Sequence, residues 1–143
     1  DRLRSRGLGD VYKRQGYMGR LRCVQEISAV TAACMMVKTS VFKAVGGFDE
    51  ELKVAFNDID LCMKVRKYGV KIVFTPYAEL YHYESKSRGM EDTPEKQLRF
   101  SREVNCFRRK WERELLKGDP YYNPNLTLNN TDCSLRKQEK NGD

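Results

Sequence analysis

The 143-residue sequence contains no uncharged apolar run of the roughly 20 residues that a helix needs to cross a bilayer. Its richest apolar stretch, residues 29–37, is about half that length. This excludes a transmembrane helix, whereas peripheral association with a membrane surface stays open.

The sequence also lacks the cysteine and histidine spacings of a zinc module. Its five cysteines stand far apart with no Cys-x-x-Cys pair, and His82 is the single histidine. These spacings argue against structural zinc. An odd number of cysteines favours reduced thiols, and with them a cytoplasmic location that can include the inner face of the cell membrane.

Positive charge is concentrated at one end of the chain. The whole sequence carries +7, yet residues 1–22 hold seven basic and two acidic side chains and the other 121 residues carry only +2. A nearly neutral body gives no reason to expect a nucleic-acid partner. We expect a basic leader over residues 1–22 that is not native to the domain, one domain over residues 23–128, and a polar, disordered tail over residues 129–143. The start at Asp1 suggests a piece of a longer protein.

The pattern of apolar residues predicts an α/β fold. Residues 29–37 are typical of a strand buried on both faces, and residues 70–75 and 78–83 of two further short strands. Between them we expect a short helix over residues 41–45, ended by Gly46-Gly47, and a helix from Asn57, as N-cap, to about Tyr68. Thr93-Pro94 then begins a long amphipathic helix that ends at Gly118. Its apolar stripe consists of Phe100, Val104, Phe107, Trp111 and Leu115.

Two carboxylates at the predicted start of the second helix are candidates for chemistry. A helix start that follows a loop is a common place to present a general base, and Asp58 and Asp60 both lie there. Carboxylates in a first turn are also ordinary complements to the helix dipole. The pair alone does not decide between these interpretations.

Two other features have the same double interpretation. Gly46 and Gly47 let a backbone approach a ligand closely, or simply end a helix. His82 can bind a metal ion or a phosphate, or serve as a structural residue.

The order of these motifs resembles the C-terminal half of family 2 glycosyltransferases, of the bacterial kind that build rhamnan and other cell-surface polysaccharides. The resemblance covers residues 29–128. It rests on residues 31–38, 40–42, 45–50 (Val-Gly-Gly-Phe-Asp-Glu), 56–61 (Phe-Asn-Asp-Ile-Asp-Leu), 69–77, 82–85 and 119–125 (Asp-Pro-Tyr-Tyr-Asn-Pro-Asn). The leader matches nothing in the family, and no Asp-x-Asp motif precedes Ala29.

The resemblance implies a partial GT-A architecture, a Rossmann-like mixed sheet in which a first half binds the nucleotide-sugar donor and a second half the saccharide acceptor. It assigns the catalytic base of an inverting transfer to Asp58. Loop and helix-start residues then bind the acceptor: Gly46, Gly47, Asp49, Asn57 and Asp60. A divalent cation, Mg or Mn, is expected in the complete enzyme, with His82 as a candidate metal ligand.

Two other functions remain open from the sequence. A small basic binding protein would use the leader, Lys86, Arg88 and the Arg108-Arg109-Lys110 cluster on phosphates, with an affinity that falls steeply with salt. A partner-docking protein without catalysis would present the stripe that includes Trp111.

Overall fold

The computed structural model describes residues 17–79, 93–130 and 133–136. In chain order its elements are β1 (Gln25–Glu26), α1 (Thr39–Ala44), α2 (Asn57–Lys67), β2 (Val73–Phe74) and α3 (Pro94–Lys117), with 3-10 turns at Tyr17–Arg22 and Ala32–Cys34. The described chain is thus mixed α/β with one long C-terminal helix. None of the helices in these ranges combines the length and apolarity that crossing a membrane requires.

The predicted helices are confirmed. Thr93 Oγ1 accepts a hydrogen bond from Lys96 N at 3.4 Å, and Pro94 occupies the first turn of α3. The predicted apolar stripe of α3 is confirmed at its centre, where Phe107 and Trp111 are buried. At its ends Phe100 and Leu115 remain nearly half exposed.

The sheet is smaller than expected. In the described ranges it has two strands, β1 and β2, which run antiparallel with Gln25 opposite Phe74 and Glu26 opposite Val73. The strand predicted over residues 70–75 is therefore confirmed only at Val73–Phe74. Of the strand predicted over residues 78–83, residues 78 and 79 are not in a strand, and the rest lies outside the described residues.

The prediction of a buried strand over residues 29–37 is wrong. The segment contains a 3-10 turn, in which Thr31 accepts a hydrogen bond from Ala33 N, and Met36 is 99% exposed. A buried strand needs neighbours that pair its backbone and cover its faces. The two-stranded sheet formed by the described residues leaves this segment unpaired.

The core lies between α3, α2 and the loop that precedes α2. Leu52, Phe107 and Trp111 form its buried cluster. Phe56, Ile59, Met63 and Cys106 pack against that cluster and are partly buried. The start of α2 is thus held against α3.

The segment after α3 returns to β1. Tyr121 Oη donates to Glu26 Oε2 at 3.1 Å, and the Ser28 hydroxyl donates to Asp119. Further along, Leu126 and Leu135 form an isolated antiparallel bridge. Residues 133–136, within the predicted tail, therefore pair with residues 125–127 where they are described.

Candidate functional site

Asp58 lies in the first turn of α2, and two backbone N–H groups hold its carboxylate, one from the same turn and one from the 3-10 turn Ala32–Cys34. Its Oδ1 accepts from Ile59 N at 2.8 Å, and its Oδ2 accepts from Ala32 N at 3.1 Å. The side chain is only partly buried. Because a carboxylate offers about four acceptor positions, these two bonds fix its orientation and leave capacity for a third partner.

The turn that carries Asp58 begins with a left-handed residue. Phe56 is the N-cap of α2 at φ 63°, so Asn57 is the first helical residue rather than the predicted N-cap. Asn57 Oδ1 accepts from Asp58 N at 2.7 Å, which satisfies one of the N–H groups left free at a helix start. A left-handed conformation is strained for a bulky residue such as Phe, so its surroundings must hold it in place.

Aromatic and carboxylate groups of α3 hold that turn. The Phe56 ring stacks on Phe107 with centroids 5.0 Å apart, and Phe100 lies beside it at 6.1 Å. Glu103, which is 3% exposed, accepts from Ala55 N at 2.7 Å through Oε2. The backbone on the N-terminal side of α2 is therefore fixed from the side of α3.

Asp60 is fully buried. Its Oδ1 accepts from Trp111 Nε1 at 2.8 Å and lies 2.8 Å from Lys110 Nζ. Lys64 Nζ lies 3.0 Å from Oδ2 in an ion pair. The contacts of Ala55, Phe56 and Asp60 with Glu103, Phe107, Lys110 and Trp111 are named here the α2–α3 clasp.

The glycine loop is tied to the same carboxylate. Gly46 and Gly47 end α1 with positive φ values of 78° and 62°, as predicted for a helix stop. Lys64 Nζ donates to Gly47 O at 3.0 Å, and Lys110 is ion-paired with Asp49. Four of the five predicted acceptor-binding residues, Gly47, Asp49, Asn57 and Asp60, thus converge around the start of α2, and Gly46 adjoins them. Their roles toward an acceptor stay predictions.

The electrostatics of the loop favour the charged forms of its ion pair. The hydrogen bond from Lys110, reinforced by Glu51 N–H, holds the pKa of Asp49 below its ordinary value. Burial alone would lower the pKa of Lys110, but hydrogen bonds to Asp49 and Asp60 outweigh burial and raise it. Lys110 is therefore an ammonium group between two carboxylates.

Sequence reasoning did not find several residues of this site. The sequence groups Lys110 with Arg108 and Arg109 in a basic cluster, yet Lys110 Nζ is ion-paired with Asp49 and Asp60. Glu103 is not singled out by the sequence, and Phe56 enters only as the first residue of the 56–61 motif. The one available signal was the spacing of four that relates residues 103, 107 and 111, which places them on one face of α3.

The metal prediction finds no support among the described residues. In residues 17–79, 93–130 and 133–136, no group of three or more histidine, cysteine, aspartate or glutamate side chains could hold a metal ion. Asp49 and Asp60 are instead neutralised by lysines. His82 lies outside the described residues.

Comparison with known proteins identifies the family of this chain. The sequence model described as "Glycosyltransferase like family 2" matches residues 5–104. An uncharacterized protein of Sinorhizobium fredii is 58% identical over 121 residues, which are 84% of this chain and 13% of that protein. The O-antigen biosynthesis protein RfbC of Myxococcus xanthus is 39% identical over 115 residues, which are 80% of this chain and 9% of that protein.

A further relative is the N-acetylglucosaminyl-diphospho-decaprenol L-rhamnosyltransferase of Mycobacterium tuberculosis, 36% identical over 62 residues, or 43% of this chain and 20% of that enzyme. The chain therefore spans between 9% and 20% of the length of these relatives. No solved structure matches it. Because the family match covers most of the sequence, the chain belongs to the family 2 glycosyltransferases.

Proposed function

We propose that this chain is the acceptor-side part of an inverting glycosyltransferase in cell-surface polysaccharide synthesis, with Asp58 as general base. The complete enzyme would transfer a sugar from a nucleotide-sugar donor to a saccharide acceptor in the cytoplasm, within a GT-A type domain. The observation that carries the proposal is the oriented, partly exposed carboxylate of Asp58 at the start of α2.

The proposed reaction is a single displacement. The acceptor hydroxyl gives its proton to the Asp58 carboxylate while its oxygen forms a bond to the anomeric carbon. The bond from that carbon to the phosphate oxygen breaks, and the nucleoside diphosphate leaves with the electron pair. Attack opposite the leaving group inverts the anomeric configuration.

The fixed orientation of Asp58 suits this role. Two backbone N–H groups hold the carboxylate without neutralising it, because neither brings a positive charge. A general base must reach within hydrogen-bond distance of the proton that it takes, so a defined orientation matters before its basicity does. Asp60 cannot serve in the same way, since its carboxylate is fully buried and bound by Trp111 and two lysines.

A divalent cation remains part of the proposal for the complete enzyme only. The described residues offer no group of three ligands for a cation, so the proposed reaction includes no step that passes through one. His82 is kept as a candidate ligand. Association with a membrane surface is likewise kept as a proposal without a structural element assigned to it.

The test replaces Asp58 by Asn in the complete enzyme. Release of nucleoside diphosphate would be followed with a panel of nucleotide sugars that includes a rhamnose donor. Loss of a general base lowers kcat by about 10²–10⁴-fold, so near-complete loss of transfer is expected. Glu112→Gln, at an exposed carboxylate of α3, is the matched control and should keep full activity. Wild-type activity in Asp58→Asn would refute the assignment.

A further inference from the structure

The α2–α3 clasp lines up with the turn that carries Asp58. Glu103, Phe107 and Trp111 are spaced by four along α3 and contact, in order, Ala55, Phe56 and Asp60. One face of α3 therefore contacts three positions around the start of α2: the backbone N–H of Ala55, the ring of Phe56 and the carboxylate of Asp60. In the sequence, Asp58 lies between the last two of these positions.

Asp60 is the most constrained member of the clasp. A buried carboxylate is destabilising unless it is paired and hydrogen-bonded, and Asp60 obtains both conditions from outside its own turn, through Trp111 and Lys110. Asp60 N in turn donates to Phe56 O at 2.8 Å. Fixing the Asp60 side chain thus fixes the turn on which Asp58 stands.

Lys110 extends this constraint to the glycine loop. Its ammonium bridges the buried Asp60 and the partly exposed Asp49, while Lys64 joins Asp60 to the Gly47 carbonyl.

Trp111, which donates to Asp60, departs from regular helical geometry at φ −114° and ψ 19°. The helix is thus locally distorted where it meets the carboxylate.

We propose that Lys110 and Trp111 are positioning residues of the transfer reaction: through Asp60 they hold the first turn of α2, and with it Asp58, in register with loop 46–50. The inference rests on the proposed function of Asp58. Neither residue touches the reacting atoms in this scheme. Their contribution is to keep the base and the acceptor-side loop in one fixed arrangement.

Steady-state kinetics of the complete enzyme test the proposal. Trp111→Phe keeps an aromatic ring and removes the N–H, while Lys110→Met keeps the aliphatic stem and removes the charge. Because small misplacements of a reacting group cost up to about 10²-fold, we expect kcat to fall about 10- to 100-fold with the donor KM nearly unchanged. Lys110→Arg should restore most of kcat. Lys117→Met, at an exposed lysine of the same helix, is the matched control.

Two measurements separate positioning from general stability. Hydrogen exchange of the Ile59 and Asp60 amides should become faster in both variants, since these groups are bonded within the turn. Leu126→Ala removes a buried side chain outside the clasp and serves as a destabilised reference. A similar fall in kcat for Leu126→Ala at an equal loss of Tm would overturn the proposal, as would wild-type kcat in Lys110→Met and Trp111→Phe.

These outcomes are independent of the test of the base. An active Asp58→Asn enzyme would refute the proposed function, whatever the clasp variants do. Wild-type kcat in the clasp variants, together with an inactive Asp58→Asn enzyme, would remove the positioning role alone.

Discussion

The α2–α3 clasp and the apolar segment over residues 29–37 are both rich in apolar side chains, yet they are buried to very different degrees. At the clasp Trp111 is 4% exposed and Leu52, which packs in the same cluster, is 1% exposed, whereas Met36 is 99% exposed. The clasp joins two helices whose backbone hydrogen bonds are largely internal, so side chains of α3 complete it, including the Glu103 carboxylate that accepts from Ala55 N. The segment requires backbone partners before its side chains can be covered.

The clasp and the apolar segment also differ in how their polar groups are paired. The clasp encloses Asp60 and Glu103, each with a donor supplied by another part of the chain. Such partnered carboxylates fix one arrangement of the two helices, because a shifted helix would leave a buried charge unpaired. In the apolar segment the polar contacts include the local Thr31 cap, the weak contact of Cys62 Sγ with Val30 O at 3.6 Å and the hydrogen bond from Ala32 N to Asp58 at 3.1 Å, and none of them involves a buried carboxylate.

The largest expected effect comes from truncating one apolar side chain in each region. Trp111→Ala should lower the free energy of unfolding by about 3–5 kcal/mol, because it removes a core side chain and leaves a cavity. Met36→Ala should change it by no more than about 0.5 kcal/mol, since the side chain is already in water. Urea unfolding followed by far-ultraviolet circular dichroism measures both. Equal effects would mean that the two regions do not differ as described.

A smaller effect is expected where the clasp holds a backbone group. Glu103→Ala takes the acceptor away from Ala55 N, and an unsatisfied buried donor costs about 1–3 kcal/mol. Glu112→Ala, on the exposed side of the same helix, is the control for helix propensity and charge. The same unfolding measurement applies, and a loss no greater than that of the control would show that Glu103 does not hold the loop.

These contrasts explain which parts of the fold the sequence could predict. The helices were predictable because their signals are local: Thr93 and Pro94 begin α3, and Gly118 follows its end with a positive φ. That residues 29–37 do not form a strand could not be predicted, because an apolar run indicates a preference for burial while the elements that would cover it are determined elsewhere in the chain.

The candidate site was predictable to a similar extent. Asp58 was located from its motif, and its position at a helix start is confirmed. Asp60 was grouped with it as a ligand-facing carboxylate, but its burial depends on Lys110 and Trp111, about 50 residues later. The left-handed conformation of Phe56 could not be predicted, because Gly or Asn is the usual residue in that conformation.

The two glycines of loop 46–50 differ in how closely other side chains surround them. Both have positive φ, so alanine at either position costs about 1 kcal/mol of backbone strain. A Cβ at Gly46 would meet nothing within 4 Å, whereas at Gly47 it would lie 3.0 Å from Cε1 and Cζ of Phe42. Gly47→Ala should therefore destabilise the chain more than Gly46→Ala, by up to about 1 kcal/mol from overpacking. Urea midpoints compare them, and equal midpoints would contradict the contact.

The smallest expected effect is the pH dependence of the Asp49–Lys110 pair. The pKa of Asp49 is lowered from an ordinary 3.8, so its contribution to stability is present above that value and is lost as the pH falls through the folded-state pKa. The pKa of Lys110 is raised from 10.5, so its contribution is present below that value and is lost as the pH rises beyond it. The pair should stabilise the fold between these limits, by about 0–1 kcal/mol because both side chains are partly exposed.

Asp49→Asn is the variant that isolates the acid side of this window. The difference in unfolding free energy between wild type and Asp49→Asn should be largest near about pH 6 and shrink as the pH falls below 3.8 through the folded-state pKa, where the wild-type carboxyl also takes up a proton. Glu50→Gln, at the exposed neighbouring carboxylate, is the control for the change in net charge. A difference that stays near zero across this range would mean that Asp49 stabilises the loop through its hydrogen bond from Glu51 N, which an amide oxygen can also accept, rather than through Lys110.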